Sequence, residues 1–386
     1  MRRLKLKHKK SRKGFRGHAN YRNAHERILK NPLKTEAGYF KKRDFKPSQF
    51  FWNLEAASCG QSSISATADL LRSHGFDAPS NEEVLKVLRG ISETDAEAMA
   101  NRLLLEEYRK LPADVRGELE LYGMVIADFH PDPYWGDPMK VAVLHGQKEH
   151  DSHFHFVYLT ADLVSPHYHF TIFMTSRVEG FPVSAYLPGL LAQVRQVTEP
   201  RLLIFDGEFP TVPVLSYLDQ DLIPWDARKS MTKSVKDALA MYSQDPWQLE
   251  HRRWHIVEIV DSKTGESVHV HVAVVKIHGK LKAITKPIWH SQPVEDAEAN
   301  YNKRFGIDSG YKDKHAFLAK TSSRSWVVRL VLFLVSVLLW NVWRLALAWT
   351  FLKGLPPLSE DERIILTKKE TAREIYNFLM DGGGKL

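Results

Sequence analysis

The chain has 386 residues, 44% apolar and 26% charged, which is enough for two or three domains with sizeable cores. Lys and Arg outnumber Asp and Glu by 54 to 46, but residues 1–50 alone hold 17 bases against Glu26, Glu36 and Asp44, so the first fifty residues are +14 and the remainder −6. The single cysteine, Cys59, excludes a disulfide framework and a cysteine-based zinc site and points to a reducing interior.

Residues 1–48 form a basic arm, expected to be flexible, with no apolar stretch of the kind a secretory signal needs. A strongly basic arm on a mildly acidic body is the electrostatic footprint of a polyanion binder, nucleic acid being the commonest. Residues 49–118 read as short helices, including "SISATADLLRSHGF" and, past a Pro-Ser-Asn turn, "EEVLKVLRGI", which fit a helix-turn-helix as they fit any small helical domain. Over 119–215 the pattern predicts strand, strand, strand, helix, strand: "GMVIAD", "FHFVYLT", "YHFTIFMT", the helical "SAYLPGLLAQVRQV", then "RLLIFD". Residues 216–290 return to strands, with "WHIVEIVD" and "VHVHVAVVKI" flanking the turn "SKTGES". Over 291–355 a polar helix from about Val294 to Ala319 precedes the run "VVRLVLFLVSVLLWNVWRLALAWTFLK". Arg329, Asn341 and Arg344 break that run into pieces shorter than the roughly 18 apolar residues a membrane span needs, so it reads as a buried core helix. A helical tail, 356–386, opens on the capping box "TKKE" and ends at "GGG".

The acids fall at strand ends. Asp128 closes the first predicted strand, in "VIADFHPDPYWGD", and Asp206 closes the fourth, in "LLIFDGEF". Two carboxylates delivered there can converge on hard cations, because Mg²⁺ and Mn²⁺ prefer oxygen ligands. Asp132, Asp137 and Glu208 occupy no predicted strand end and rank below them. Asp308 supplies a third acid if the 294–319 helix packs on that edge of the sheet. Tyr301, Arg304, Asp308, Lys312 and His315 are spaced at threes and fours, one stripe that is polar where a buried stripe would be apolar.

With these residues the chain resembles the DDE transposases of bacterial and archaeal insertion sequences, in the branch whose ribonuclease-H-like core is interrupted by a β-rich insertion. The signature of that branch, Tyr-x2-Arg-x3-Glu-x6-Lys, reads here as Tyr301, Arg304, Asp308 and His315. "PYWG" after Asp128, and "TSSR" with "LLWNVWR" after Asp308, also resemble archaeal members. The resemblance spans about residues 120 to 350, and departs from the pattern at Asp308, where the family has Glu, and at His315, where it has Lys. It implies an α/β fold, a ribonuclease-H-like mixed sheet flanked by helices, with a β-rich insertion over 216–290 and a helical N-terminal DNA-binding domain. It implies two Mg²⁺ or Mn²⁺ ions held by Asp128, Asp206 and Asp308, with cleavage of element ends and strand transfer into target DNA. The partner is then double-stranded DNA, bound as a dimer, in the cytoplasm at the nucleoid and without a membrane.

Tyr301 and Arg304 would position phosphate and sugar, and Lys312, Lys314 and His315 would add contacts along the backbone. Within the insertion, "ARKSMTKSVK" places Arg228, Lys229 and Lys233 in a basic cluster suited to phosphates, near Trp254 and Trp289. Two alternatives stay open. The shorter Asp308 allows a relic that binds DNA without cutting it. The pairs His153/His155 and His167/His169 each share one strand face and could clamp zinc in a hydrolase.

Overall fold

The computed structural model describes residues 23–25, 45–141, 143–149, 151–229, 235–237, 253–277, 280–352 and 376. Most of the basic arm and the C-terminal tail therefore lie outside the described residues. The chain divides into two compact units, one formed by Met1–Met99, Glu106–Leu111 and Asp313–Leu386, the other by Ala100–Leu105 and Pro112–Lys312.

The first unit is helical: α1 (Pro47–Cys59), α2 (Ile64–Ser73), α3 (Asn81–Arg89), the two ends of α4 (Glu93–Arg109) and α9 (Trp326–Leu352). Serines start three of these helices. Ser63 accepts from Ala66 N at 3.2 Å, Ser92 accepts from Asp95 N at 3.1 Å, and Ser80 forms a reciprocal capping box with Glu83. Apolar spacing then decides which face is buried, as Val84, Val87 and Leu88 show on α3. In α1, Phe50 through Cys59 are buried without interruption, so that helix has no wet face over its last ten residues.

Helix α9 is long and apolar enough to cross a membrane, yet 89% of its most apolar window is buried inside the protein, against α1 and α3. Its polar interruptions are matched locally. Arg329 donates from Nε to the Ser323 carbonyl at 2.8 Å, and Asn341 donates from Nδ2 to Glu107 Oε2 at 3.0 Å. Burial pushes the Glu107 carboxyl well above the usual range, against the pull of Asn341 and Lys110.

The second unit contains α5 (Ala113–Tyr122), β1 (Met124–Tyr134), β2 (Leu144–Glu149), β3 (Ser152–Val164), β4 (His169–Ser176), α6 (Leu187–Val194), β5 (Leu202–Phe205), α7 (Val212–Gln220) and β6 (Trp225–Lys229). These are followed by β7 (His255–Val260), β8 (Ser267–Ile277), β9 (Lys280–Pro287) and α8 (Val294–His315), whose last residues enter the first unit. The nine strands form one mixed sheet in the order β2-β3-β1-β5-β6-β9-β8-β7, with β4 also paired to β3. β1, β3 and β4 are antiparallel to one another in turn, whereas β5 and β6 run parallel to β1. The strand, strand, strand, helix, strand order thus holds, with β2 added.

Two boundaries differ from the sequence reading. β1 does not stop at Asp128 but runs to Tyr134, because β3 pairs with it along its whole length. The boundary expected at residue 215 falls inside α7, and β6 continues the central sheet, so 216–229 are not separable from it.

Candidate active site

The parallel pairing of β1 and β5 sets Met124 against Leu202 and Ala127 against Phe205. One residue further along each chain stand Asp128 and Asp206, on backbones that lie about 4.8 Å apart where neighbouring strands pair. Alternation puts Asp128 on the same face as Met124 and Ile126, and Asp206 on the same face as Leu202 and Ile204. Helix α8 covers that face: Val294, Ala297 and Tyr301 pack in one cluster with Met124, Ile126, Leu202 and Ile204. The opposite face is aromatic, with Phe205 and Phe209 stacked at 5.1 Å and Phe209 on Phe129 at 4.8 Å.

Both carboxylates are held by local geometry. Asp128 is 8% exposed, accepts from the Phe129 amide at 2.9 Å, and sits opposite Thr160, whose hydroxyl lies 2.6 Å from Nε2 of the buried His130. Asp206 is half-buried at the turn that ends β5; its Oδ1 accepts from Gly207 N at 2.5 Å and its carbonyl from Phe209 N at 3.1 Å. Asp206 thus stands just past the carboxyl end of β5, and Asp128 within β1 one residue past the last pair of the β1–β5 ladder, so both sit where that parallel pairing ends.

One row further into the sheet lies a buried charge network. Ile204 pairs with Asp226, and the register Ala227 to Thr285 sets Asp226 opposite Lys286, which pairs in turn with His271. Asp226 is 1% exposed and Lys286 2%. Gln292 donates to Asp226 Oδ2 at 3.1 Å, while the Lys286 ammonium donates to the His290 carbonyl and stands 3.2 Å from His271 Nδ1 and 4.9 Å from the Trp254 ring centre. Burial raises the Asp226 carboxyl to about 6, opposed by Gln292, Asn300 and Lys286. Burial also lowers Lys286, with Asp226 opposing, and lowers His271 and His290, with Lys286 adding to the effect. Asp226 and Lys286 escaped the sequence reading, although the alternation of "WDARK", with Trp225 and Ala227 against Asp226 and Arg228, carried the signal of a polar stripe on a buried strand.

The remaining candidates are distributed differently from the expectation. Tyr301, expected on DNA, is 1% exposed and packs on the sheet. Lys314, expected along the DNA backbone, is fully buried with its Nζ 4.8 Å from the Trp340 ring centre, because α8 turns there into the helical unit. His315 is half-buried, its ring 6.3 Å from that of Phe333. Arg304, Asp308 and Lys312 lie on α8, with side chains outside the described residues, as is that of Lys229 at the end of β6. Lys233 falls outside them altogether. Trp289 donates to Asp219 Oδ1 at 3.1 Å and Trp254 to the Gln292 carbonyl at 2.7 Å.

The histidine pairs do not converge on a common point. His153 stacks on His145 at 5.6 Å, His155 lies 3.0 Å from the Gln147 carbonyl, His167 meets Glu118 at 3.1 Å, and His169 Nε2 forms a buried pair with Asp162 Oδ2 at 2.8 Å. Among the described residues no three His, Cys, Asp or Glu side chains are grouped to hold a metal ion.

No protein-family model and no curated protein matches the chain. Among solved structures, a cryo-EM structure of the piggyBac transposase synaptic complex with hairpin DNA aligns with a TM-score of 0.47 at 12% identity, over 96% of this chain and 81% of that one.

Proposed function

We propose that this chain is a metal-dependent DNA-cleaving and strand-transferring enzyme of the DDE transposase kind, acting at the edge occupied by Asp128 and Asp206. The observation that carries this reading is the parallel register that brings those two acids side by side on one face of the sheet. The strand order β4-β3-β1-β5-β6, antiparallel and then parallel, supports it further, since a ribonuclease-H-like core is built on that order. Asp308 lies two helical turns beyond Tyr301, on the stripe that begins with Val294 and Ala297, which suits it as the third acid.

Paired carboxylate oxygens fit Mg²⁺ or Mn²⁺, and Asp128, Asp206 and Asp308 would hold two such ions. When bound, the ions supply Lewis acidity at a phosphate oxygen and an acidified water. The residues of the chain fix where this happens: Asp128 and Asp206 set the position of the scissile phosphate, and Arg304, Lys312 and Lys229 add charge along the backbone. Cleavage adds water across a phosphodiester, leaving a 3′ hydroxyl and a 5′ phosphate. Joining exchanges one phosphodiester for another, so neither step consumes a nucleotide cofactor. The basic arm and the helices after it would bind the element ends, with the protein acting as a dimer on DNA at the nucleoid.

The test is strand nicking of a plasmid carrying the DNA that flanks the gene, with Mg²⁺ or Mn²⁺. Metal-dependent nicking should disappear in Asp128→Asn and Asp206→Asn while DNA binding and melting temperature hold. Undiminished nicking in either variant would refute the assignment. Tight binding with no nicking by the wild type or by Asp308→Glu would favour a DNA-binding relic.

A further inference from the structure

Arg228 stands at the next position along the row of acids. β6 runs parallel to β5 with Ile204 opposite Asp226 and Phe205 opposite Ala227, so the residue following Ala227 is level with the residue following Phe205. Those residues are Arg228 and Asp206. Alternation places Arg228 on the face of Asp226, whose carboxylate meets Gln292 just ahead of α8, and opposite Ile284, which belongs to the cluster beneath that helix. Asp128, Asp206 and Arg228 are thus one in-register row across three adjacent parallel strands, on one face and at one edge. Arg228 is half-buried, and among the described residues no hydrogen bond or ion pair engages its guanidinium.

A half-buried guanidinium beside two acids would ordinarily pair with one of them. Its neighbours here are occupied otherwise: Asp206 binds the Gly207 amide, and Asp226 lies one row below with Gln292. Five N–H donors in a fixed fork match the oxygens of a phosphate. The sequence had placed Arg228 in a basic cluster of a β-rich insertion; the register moves it into the central sheet, one strand spacing from Asp206, about 5 Å between backbones. We infer that Arg228 is a phosphate-binding residue of the active edge itself, gripping the DNA strand that Asp128 and Asp206 hold for cleavage. This assignment rests on the reading proposed above for that edge. It also gives the edge an asymmetry, acids on β1 and β5 and a cation on β6, so a bound strand has its backbone charge drawn toward the β6 side.

The experiment is titration of a short labelled DNA duplex with the full chain in Ca²⁺ over a range of salt, for the wild type, Arg228→Gln and Arg228→Lys. Arg228→Gln should weaken binding about tenfold or more and reduce the slope of log affinity against log salt by about one, whereas Arg228→Lys should keep the slope. Arginine-specific labelling of the wild type by phenylglyoxal, read by peptide mass, should show Arg228 protected by DNA, which keeps the test valid if a variant misfolds. Unchanged affinity and slope in Arg228→Gln, or labelling of Arg228 that DNA does not reduce, overturns the assignment. Weakened binding with no metal-dependent nicking by the wild type supports the phosphate site and rejects the cleavage reading. A wild type that binds no DNA rejects both.

Discussion

Replacing Asp226 by Asn should change how stability depends on pH. The carboxyl rises from an ordinary 3.8 to about 6 because it is buried, so in the folded state it holds its proton over a window in which the unfolded chain has lost it. Each unit of such a difference is worth about 1.4 kcal/mol, so the displacement corresponds to roughly 3 kcal/mol. The sign follows: this stability is fully present below about pH 4 and is lost as the pH rises through about 6. His271 and His290 act in the opposite sense, since burial lowers them and their contribution is lost as the pH falls. Both remain in the variant, as does Lys286. The difference between wild type and Asp226→Asn therefore isolates the carboxyl. Urea unfolding followed by tryptophan fluorescence at steps between about pH 4 and pH 8 gives that difference directly. Wild-type stability should fall relative to the variant by up to about 3 kcal/mol across the range. A flat difference would show that Gln292, Asn300 and Lys286 balance burial so that Asp226 ionises at its ordinary pH, and one that grows in favour of the wild type toward pH 8 that they outweigh it.

Three further outcomes follow from packing. Tyr301→Ala should destabilise the second unit by about 3–5 kcal/mol, read as a lowered unfolding midpoint; lost DNA affinity at unchanged stability would instead make Tyr301 a ligand contact. Gly123 ends α5 at φ +54°, and a Cβ there would lie 2.9 Å from both the Glu199 carbonyl oxygen and Arg201 Cγ, so Gly123→Ala should cost about 1–3 kcal/mol by the same measurement. Asn341→Leu removes the donor that meets Glu107 inside the helical unit and should cost about 1–3 kcal/mol, seen as a lowered melting temperature.

Local chemistry was legible where one segment decides its own structure. The apolar runs of β1, β3 and β4 and the apolar burial of α9 follow from composition within a single element. The two acids on neighbouring strands were legible because a carboxylate stands out after an apolar run, although β1 continues past Asp128 to Tyr134. What sequence could not supply was register. "WDARK" reads as part of a basic cluster in a separate insertion until β6 is seen to pair with both β5 and β9, and only that pairing buries Asp226 against Lys286 and sets Arg228 level with Asp206. The burial of Tyr301 and Lys314 was not legible for a related reason. A tyrosine or lysine on a polar helix can face solvent or pack inward, and the choice is made by distant segments: the strands of the sheet for Tyr301, Trp340 for Lys314.

The helical unit is assembled from the two ends of the chain, and this bears on how the protein is made. Helix α1, buried over ten consecutive residues, leaves the ribosome about 270 residues before α9, which at roughly 5–20 residues per second is a delay on the order of 15 to 50 s. During that interval its contacts with α2 and the Phe76 ring can form, but the surface that α9 covers has no native partner, while the intervening sheet can already form from contiguous chain. Nascent chains stalled before Trp326 should therefore recruit holdase chaperones to the Phe50–Cys59 segment, and release them once α9 has emerged.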